Sequence, residues 1–252
     1  MYKDVIYWGQ DILLKVDEIK NMFYRLNLTD YSLNEQEKRN SMDSVFGEAA
    51  ESLADLDFWT KHKVFSPRDI RRMGDVEYCS NILLLCREGI VDQTKQEVLD
   101  QIYTDFVNEY PDRDKDLKKI NEAIDCIDVI ITPETKSFSS KKVQMFTLFA
   151  LAFDFIDNEI VITDEIKKNF VQFVKTYNAF KNEYELTLST EEERKVFEMI
   201  KKYKLASSEG VNKISNRMIR FEVLKKILLN IENIDVGVLA SIEKKCNEQV
   251  QE

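Results

Sequence analysis

Apolar residues recur along this chain at steps of three and four, the spacing that places side chains on one face of an α-helix. The clearest run forms a narrow seam at Leu117, Ile120, Ile124, Ile127 and Ile131. A second run follows Gly210 and comprises Ile214, Met218, Phe221, Leu224, Leu228 and Ile231. The pattern predicts helices that pack against one another through these faces.

Helix ends are marked by residues that satisfy free backbone groups. The stretch Ser66-Pro67-Arg68-Asp69 predicts a helix start, and Gly89 suits the C-terminal cap of a helix running from there. Thr190 and Glu193 have the spacing of a capping box ahead of another apolar run. Caps and periodicity together predict an all-α fold, a multi-helix bundle of about nine or ten helices.

Composition agrees with this fold class. Only 6 glycines and 3 prolines occur among 252 residues, too few for the many turns of a β-sandwich or barrel. With 44% apolar residues the chain can bury a substantial core. The most apolar stretch, 143–156, is too short to span a bilayer and predicts a central core helix. Met1 is followed by polar residues and no secretory signal is expected, so we predict a cytoplasmic protein without a membrane partner.

The formal net charge of −10 opposes binding to phosphate backbones unless basic side chains are gathered locally. One cluster meets this condition, with Trp59 and Phe65 interleaved among Lys61, His62, Lys63, Arg68, Arg71 and Arg72. Two interpretations remain open. Lys61, Lys63 and the three arginines contact DNA or another phosphate, or the cluster forms solvated salt bridges with neighbouring acids.

The residues that commonly bind metals are sparse. Four cysteines are widely spaced, and His62 is the only histidine. This pattern predicts reduced thiols rather than disulfides or a zinc site. His62 has no cysteine or acid at a useful spacing and is expected to be a lone surface imidazole.

Two stretches carry a resemblance to a known family. "FYRLN" at 23–27 followed by "LNEQEKRN" at 33–40 matches the run F-x-R-L-N … L-x-x-x-E-x-R-N, and "DFWTKHKVFSPRDIRRMGDVEYCSNILLL" at 57–85 is similar to a Phe-Ser, Arg-Met, Asp-x-Glu helix entry. In this order and spacing they resemble the GmrSD-type restriction endonuclease N-terminal-domain family, a ParB- and sulfiredoxin-like group. The resemblance covers roughly residues 17–155.

The resemblance implies prokaryotic genome defence by nucleotide-dependent cleavage of foreign DNA. For the full-length family it implies a nucleoside triphosphate, a divalent metal and an α/β catalytic domain with an Asp-Gly-Gln-Gln-Arg motif. This chain departs from the pattern, because "WGQD" at 8–11 is not that motif and no Asp-Gly dipeptide occurs. Too few residues precede the matching helix to form the catalytic sheet. The expectation is a helical, non-catalytic part without its own cofactor.

Three segments follow from this interpretation. Residues 1–16 are expected to be a remnant or edge of the missing α/β domain, 17–204 a helical domain resembling the family, and 205–252 helices packed on it. The residues expected to brace the helical part against the catalytic domain are Phe23, Arg25, Asn27, Glu37, Arg39 and Asn40.

Simpler interpretations of the same residues remain open. Asn27 also suits the C-terminal cap of its helix, and Glu37, Arg39 and Asn40 also fit an exposed charged helix face. Ser32 and Asn34 can each cap the helix that follows. A second hypothesis for the whole chain is a stand-alone all-α module that binds a protein partner through the seam at 117–131 or through tyrosines and phenylalanines on the C-terminal helices.

Overall fold

The structure is a computed structural model that describes residues 33–92, 96–181, 186–231, 234 and 236–249. All regular elements within these ranges are helices, 13 in number, and no strand occurs among them. The predicted all-α class is confirmed. The predictions for residues 1–16 and for Phe23, Arg25 and Asn27 lie outside the described residues.

The helices are, in chain order, α1 (Glu35–Asn40), α2 (Val45–Ala54), α3 (Asp57–His62), α4 (Pro67–Arg71), α5 (Gly74–Glu88), α6 (Glu97–Asp105), α7 (Arg113–Ile130), α8 (Lys136–Ser139), α9 (Lys142–Asp157), α10 (Asp164–Ala179), α11 (Glu191–Ala206), α12 (Ile214–Leu228) and α13 (Val236–Glu248). Helices α1, α3, α4 and α8 have six residues or fewer, too short to show a period in the sequence. These short helices account for the difference from the nine or ten predicted. None of the described helices is long and apolar enough to cross a membrane.

Helix α9 lies at the centre of the fold. It packs against α5, α7 and α12, and it buries a continuous run from Gln144 to Phe153 as well as Phe155. A helix that is apolar on all sides is stable only when neighbours cover all of them. The expectation of a central core helix at 143–156 is therefore confirmed.

The seam on α7 faces the interior of the chain. Ile120 is 0% exposed and Ile127 is 1% exposed. Helix α7 packs against α9 and α5, which cover these side chains. The hypothesis that this seam binds a separate protein partner is therefore wrong, since the partner helices belong to the same chain.

The four C-terminal helices pack on one another, α10 against α12 and α13, and α11 against the same two. The predicted capping box is confirmed, because Thr190 accepts from the backbone N–H of Glu193 while the Glu193 carboxylate accepts from that of Thr190. The same carboxylate joins α11 to α13 through Lys245 Nζ at 2.7 Å and Ser241 Oγ at 2.6 Å. Helix α11 runs across position 204, so the division of the chain there remains a prediction.

The helix expected from Ser66 to Gly89 is broken near its start. Both predicted caps are present, but α4 ends at Arg71 and Met73 takes a left-handed conformation with φ of 54° before α5 begins. The carbonyl of Arg72 accepts a hydrogen bond from Asn34 Nδ2 at 2.8 Å. This tertiary contact occupies a carbonyl that a continuous helix would use internally, which a local pattern cannot reveal.

Candidate functional site

Arg39 in the motif segment 33–40 lies inside the protein. Its side chain is 3% exposed, and it donates from Nε to Asp100 Oδ1 at 2.7 Å and from Nη2 to Gln96 Oε1 at 2.7 Å. A third hydrogen bond joins Nη1 to Gln36 Oε1 at 3.2 Å. The exposed-face interpretation is therefore wrong for Arg39. A planar guanidinium with a partner for each nitrogen fixes α1 against α6.

A second buried contact, which the sequence analysis missed, starts from Gln36. This side chain is 1% exposed and donates from Nε2 to the Tyr103 hydroxyl at 2.9 Å. The same hydroxyl lies 2.8 Å from Ser80 Oγ on α5. Burial raises the pKa of Tyr103, so the phenol remains a neutral hydrogen-bonding group. Gln36 and Arg39 are three residues apart and therefore share a face of α1. This spacing was the sequence signal that could have indicated a shared buried contact.

Glu37 and Asn40 also contact this chain's own residues. Asn34 Oδ1 accepts from the Glu37 backbone N–H at 2.8 Å, and Glu37 Oε2 accepts from the Asn34 N–H at 2.7 Å, so Asn34 is the cap. Glu37 Oε2 also lies 3.4 Å from Arg72 Nη2. Asn40 Nδ2 donates to the carboxylate of Glu51 on α2. The motif segment is thus tied to α2, α5, α6 and the bend after α4.

Lys61 and His62 share one acid on α7. Lys61 Nζ lies 2.7 Å from Asp128 Oδ2, and His62 Nε2 lies 2.5 Å from Asp128 Oδ1. Burial raises the pKa of Asp128, but the hydrogen bonds from Lys61 and His62 outweigh it and lower that pKa overall. His62 is 4% exposed and packs on Phe58, so the expectation of a surface imidazole is wrong. The acid that binds it is 66 positions away in sequence.

The remaining basic residues divide into two groups. Arg72 is half-buried and lies beside the Glu37 carboxylate, so its charge is partly neutralised. Lys63, Arg68 and Arg71 are exposed, and no carboxylate of the described ranges forms an ion pair with them. Asp69, the acid next to Arg68, accepts a hydrogen bond from the backbone N–H of Ser66 and forms an ion pair with Lys142 Nζ at 2.5 Å. Three of the five predicted phosphate contacts are therefore free cations at the surface.

A polar cavity that the sequence analysis did not find lies between α5, α9 and α12. It has a volume of about 240 Å³ and is lined by Tyr78, Asn81, Lys142, Phe146, Arg217 and Arg220, together with Gly74, Glu77, Val143, Val211 and Asn212. The sequence predicted an apolar face on α12 that includes Ile214 and Met218. Those side chains are 43% and 38% exposed, whereas Arg217 and Arg220 are 5% and 1% exposed. Two arginines three apart on one helix face were the available signal.

Comparisons with known proteins identify no family for this chain. No protein-family model and no curated protein matches the sequence, and no solved structure matches the fold. The resemblance at 23–40 and 57–85 therefore remains an expectation from the sequence. The all-α fold and the contacts described above are observations of this molecule.

Proposed function

We propose that this chain is a helical, non-catalytic part of a GmrSD-type, nucleotide-dependent DNA restriction protein. In this role it braces a separate α/β catalytic domain and contacts DNA. The nucleoside triphosphate and the divalent metal then belong to the catalytic domain. Support comes from the two family-like segments, which occur in the expected order along the chain.

The observation that carries the bracing role is the fixed position of α1. A helix of six residues is not stable in isolation, so contacts outside it must hold it in place. Arg39 and Gln36 supply those contacts on one face, and Glu37 supplies the cap. A rigid α1 gives a catalytic partner a fixed surface of the helical core to pack against, which is what a brace requires.

Co-purification tests this proposal. The partner is the protein that carries the Asp-Gly-Gln-Gln-Arg segment and is encoded in frame with this chain or beside it. We expect the two to co-purify at equal stoichiometry, and we expect Arg39→Ala to weaken the complex because α1 loses its fixed position. Lys118→Ala, which changes a highly exposed residue on α7, is the control. Absence of such a reading frame, or of any association, contradicts the proposal.

The DNA-contact role rests on the free cations Lys63, Arg68 and Arg71. Because the chain is acidic overall, only a local cluster can attract a phosphate backbone. These three residues flank the turn between α3 and α4 and the bend after α4, so their charges lie on neighbouring segments. The arrangement suits contact with successive phosphates rather than recognition of bases.

The alternative is a stand-alone all-α module that binds another protein. One observation favours it, an apolar groove of about 490 Å³ between α11 and α12 that contains Met199, Met218 and Ile219. Methionines suit adaptable protein contacts. A Met218→Lys variant that loses a protein partner while the wild-type chain shows no affinity for DNA would favour this alternative.

A further inference from the structure

Two arginines on α12 carry buried charges without a counterion. Arg217 is 5% exposed and Arg220 is 1% exposed, and neither forms an ion pair with any acid in the part of the chain that the structure describes. A guanidinium keeps its proton in proteins, so these groups cannot become neutral. Burying such a charge without an opposite charge is strongly unfavourable. The arrangement therefore requires an explanation beyond packing.

Arg220 has a clear structural role. It donates from Nε to Thr147 Oγ1 at 3.2 Å, from Nη1 to the carbonyl of Ala206 at 2.5 Å, and from Nη2 to the carbonyl of Val211 at 2.9 Å. Ala206 is the last residue of α11, so Arg220 holds the end of that helix and the loop beyond it. These contacts fix one wall of the cavity but leave the positive charge uncompensated.

Arg217 is less well satisfied. It donates from Nη1 to the carbonyl of Val91 at 3.2 Å and from Nη2 to Asn212 Oδ1 at 3.3 Å, while its buried Nε has no partner. Its guanidinium lies 4.1 Å from the centre of the Phe146 ring, which holds it in the cavity wall. Burial, and then the neighbouring charge of Arg220, lower the pKa of Arg217 to about 10. An N–H donor and a positive charge are therefore available together.

Asn81 presents an unused acceptor in the same cavity. Its Nδ2 donates to the Glu77 carbonyl at 2.8 Å, which sets the orientation of the amide. Its Oδ1 is buried and has no partner. The nearby Tyr78 hydroxyl already donates to the Lys142 carbonyl at 2.9 Å. The cavity thus offers a charged donor on α12 and a neutral acceptor on α5.

The other charged groups around the cavity leave it positive. Lys142 lies 2.5 Å from Asp69, which neutralises it, and the Glu77 carboxylate accepts from Gln96 Nε2 at 3.2 Å. The negative charge of Asp92 raises the pKa of Arg217, but this effect is smaller than the lowering of the pKa by burial. Among the lining residues, with Lys142 neutralised, the two arginines Arg217 and Arg220 therefore outnumber the single carboxylate of Glu77.

We propose that this cavity binds inorganic phosphate or the phosphate group of a small molecule, held by Arg217 with Arg220 behind it and by Asn81. Guanidinium groups suit oxyanions because their N–H donors match the oxygen geometry. Inorganic phosphate keeps a hydroxyl at neutral pH, which can donate to Asn81 Oδ1. A phosphate ester has this hydroxyl only in its singly protonated form, and a carboxylate has none. The volume of about 240 Å³ fits a phosphate group, since drug-sized ligands need about 300–1,000 Å³.

Thermal unfolding tests the proposal on the full chain. Sodium phosphate is compared with sodium chloride at equal ionic strength, and calorimetry supplies the Kd. At about 100 times the Kd, phosphate should raise the Tm by roughly 5–10 °C. Arg217→Met should abolish this rise, whereas Arg194→Met, which removes an exposed arginine of α11 outside the cavity, should keep it. Asn81→Leu should weaken phosphate binding at least about tenfold and serves if Arg217→Met does not fold.

Two further ligands identify the source of the phosphate group. A larger rise in Tm with adenosine monophosphate than with adenosine would show that a phosphate ester binds. Sulfate, which has no hydroxyl at neutral pH, tests whether the hydroxyl of phosphate is needed. Stabilisation by phosphate or by the monophosphate supports the site and names its ligand. Equal stabilisation by sulfate overturns the role of Asn81. Absence of any anion effect on the wild-type chain, or an effect that survives in Arg217→Met, overturns the proposal, and neither result depends on DNA or on a catalytic partner.

Discussion

Replacing Arg39 with alanine removes the side chain that holds α1 against α6. The guanidinium is 3% exposed and donates to Asp100, Gln96 and Gln36 through three different nitrogens. Alanine is the best helix former, so the substitution does not weaken α1 itself. Any loss of stability therefore reports on the contacts between α1 and the rest of the chain.

The expected loss follows from those contacts. A hydrogen bond from a charged donor contributes about 1.5–3 kcal/mol, but neighbouring bonds are not additive. The Asp100 side chain is 52% exposed, so water can replace the arginine there. Gln36 is 1% exposed and is left with an unsatisfied oxygen. We expect the free energy of unfolding to fall by about 3 kcal/mol, a large part of the roughly 5–15 kcal/mol typical of a folded protein.

Urea denaturation followed by circular dichroism measures this loss. Arg71→Ala is the matched control, because it removes the same side chain from an exposed position, and it should change the free energy of unfolding by less than about 0.5 kcal/mol. Arg39→Lys supplies one nitrogen in place of three and should recover only part of the stability. A change for Arg39→Ala no larger than that of the control would refute the anchoring role.

Two other predictions concern stability. The Lys245 ammonium, with Ser241 and backbone N–H groups, lowers the pKa of Glu193 from 4.5 to about 2, so this carboxylate stabilises the fold above pH 4.5 and the stabilisation is lost as the pH falls toward 2. Glu193→Gln should lower the free energy of unfolding at pH 7 by at most about 3 kcal/mol, and in urea titrations that free energy should depend less on pH below pH 4.5. An unchanged dependence on pH in this range would contradict the stabilising role of the carboxylate. Glu159 is exposed and has a φ of 54°, a left-handed conformation that strains most residue types but not glycine. Glu159→Gly should therefore raise the free energy of unfolding by about 0.5–1 kcal/mol and shift the urea midpoint upward. A lower midpoint would contradict this argument.

Local signals in the sequence were sufficient for the helical class and for several helix ends. Thr190 and Glu193 form the predicted capping box, Ser66 and Gly89 cap the predicted ends, and the stretch 143–156 is the central helix. Each of these features depends on residues within a few positions of one another. Periodicity and capping describe that range well.

The features that the sequence did not reveal depend on distant residues. His62 meets Asp128 across 66 positions, and Arg39 meets Asp100 across 61. The expected apolar face of α12 includes Met218, but that side chain is 38% exposed, whereas Arg217 and Arg220 are 5% and 1% exposed. A pattern of polar and apolar positions cannot show that a charged residue finds backbone carbonyls inside the fold.

The salt dependence of the affinity for duplex DNA is the most direct test of the proposal that this chain contacts DNA. Wild type is compared with the triple variant Lys63→Ala, Arg68→Ala, Arg71→Ala, and Lys61→Ala is the control because Asp128 already neutralises that lysine. Each lost phosphate contact reduces the magnitude of the slope of log affinity against log salt concentration by about 0.9. The slope should therefore fall by up to about 2.7 in the triple variant and change little in the control. Equal slopes for wild type and the triple variant, or no binding by wild type at low salt, would contradict the account.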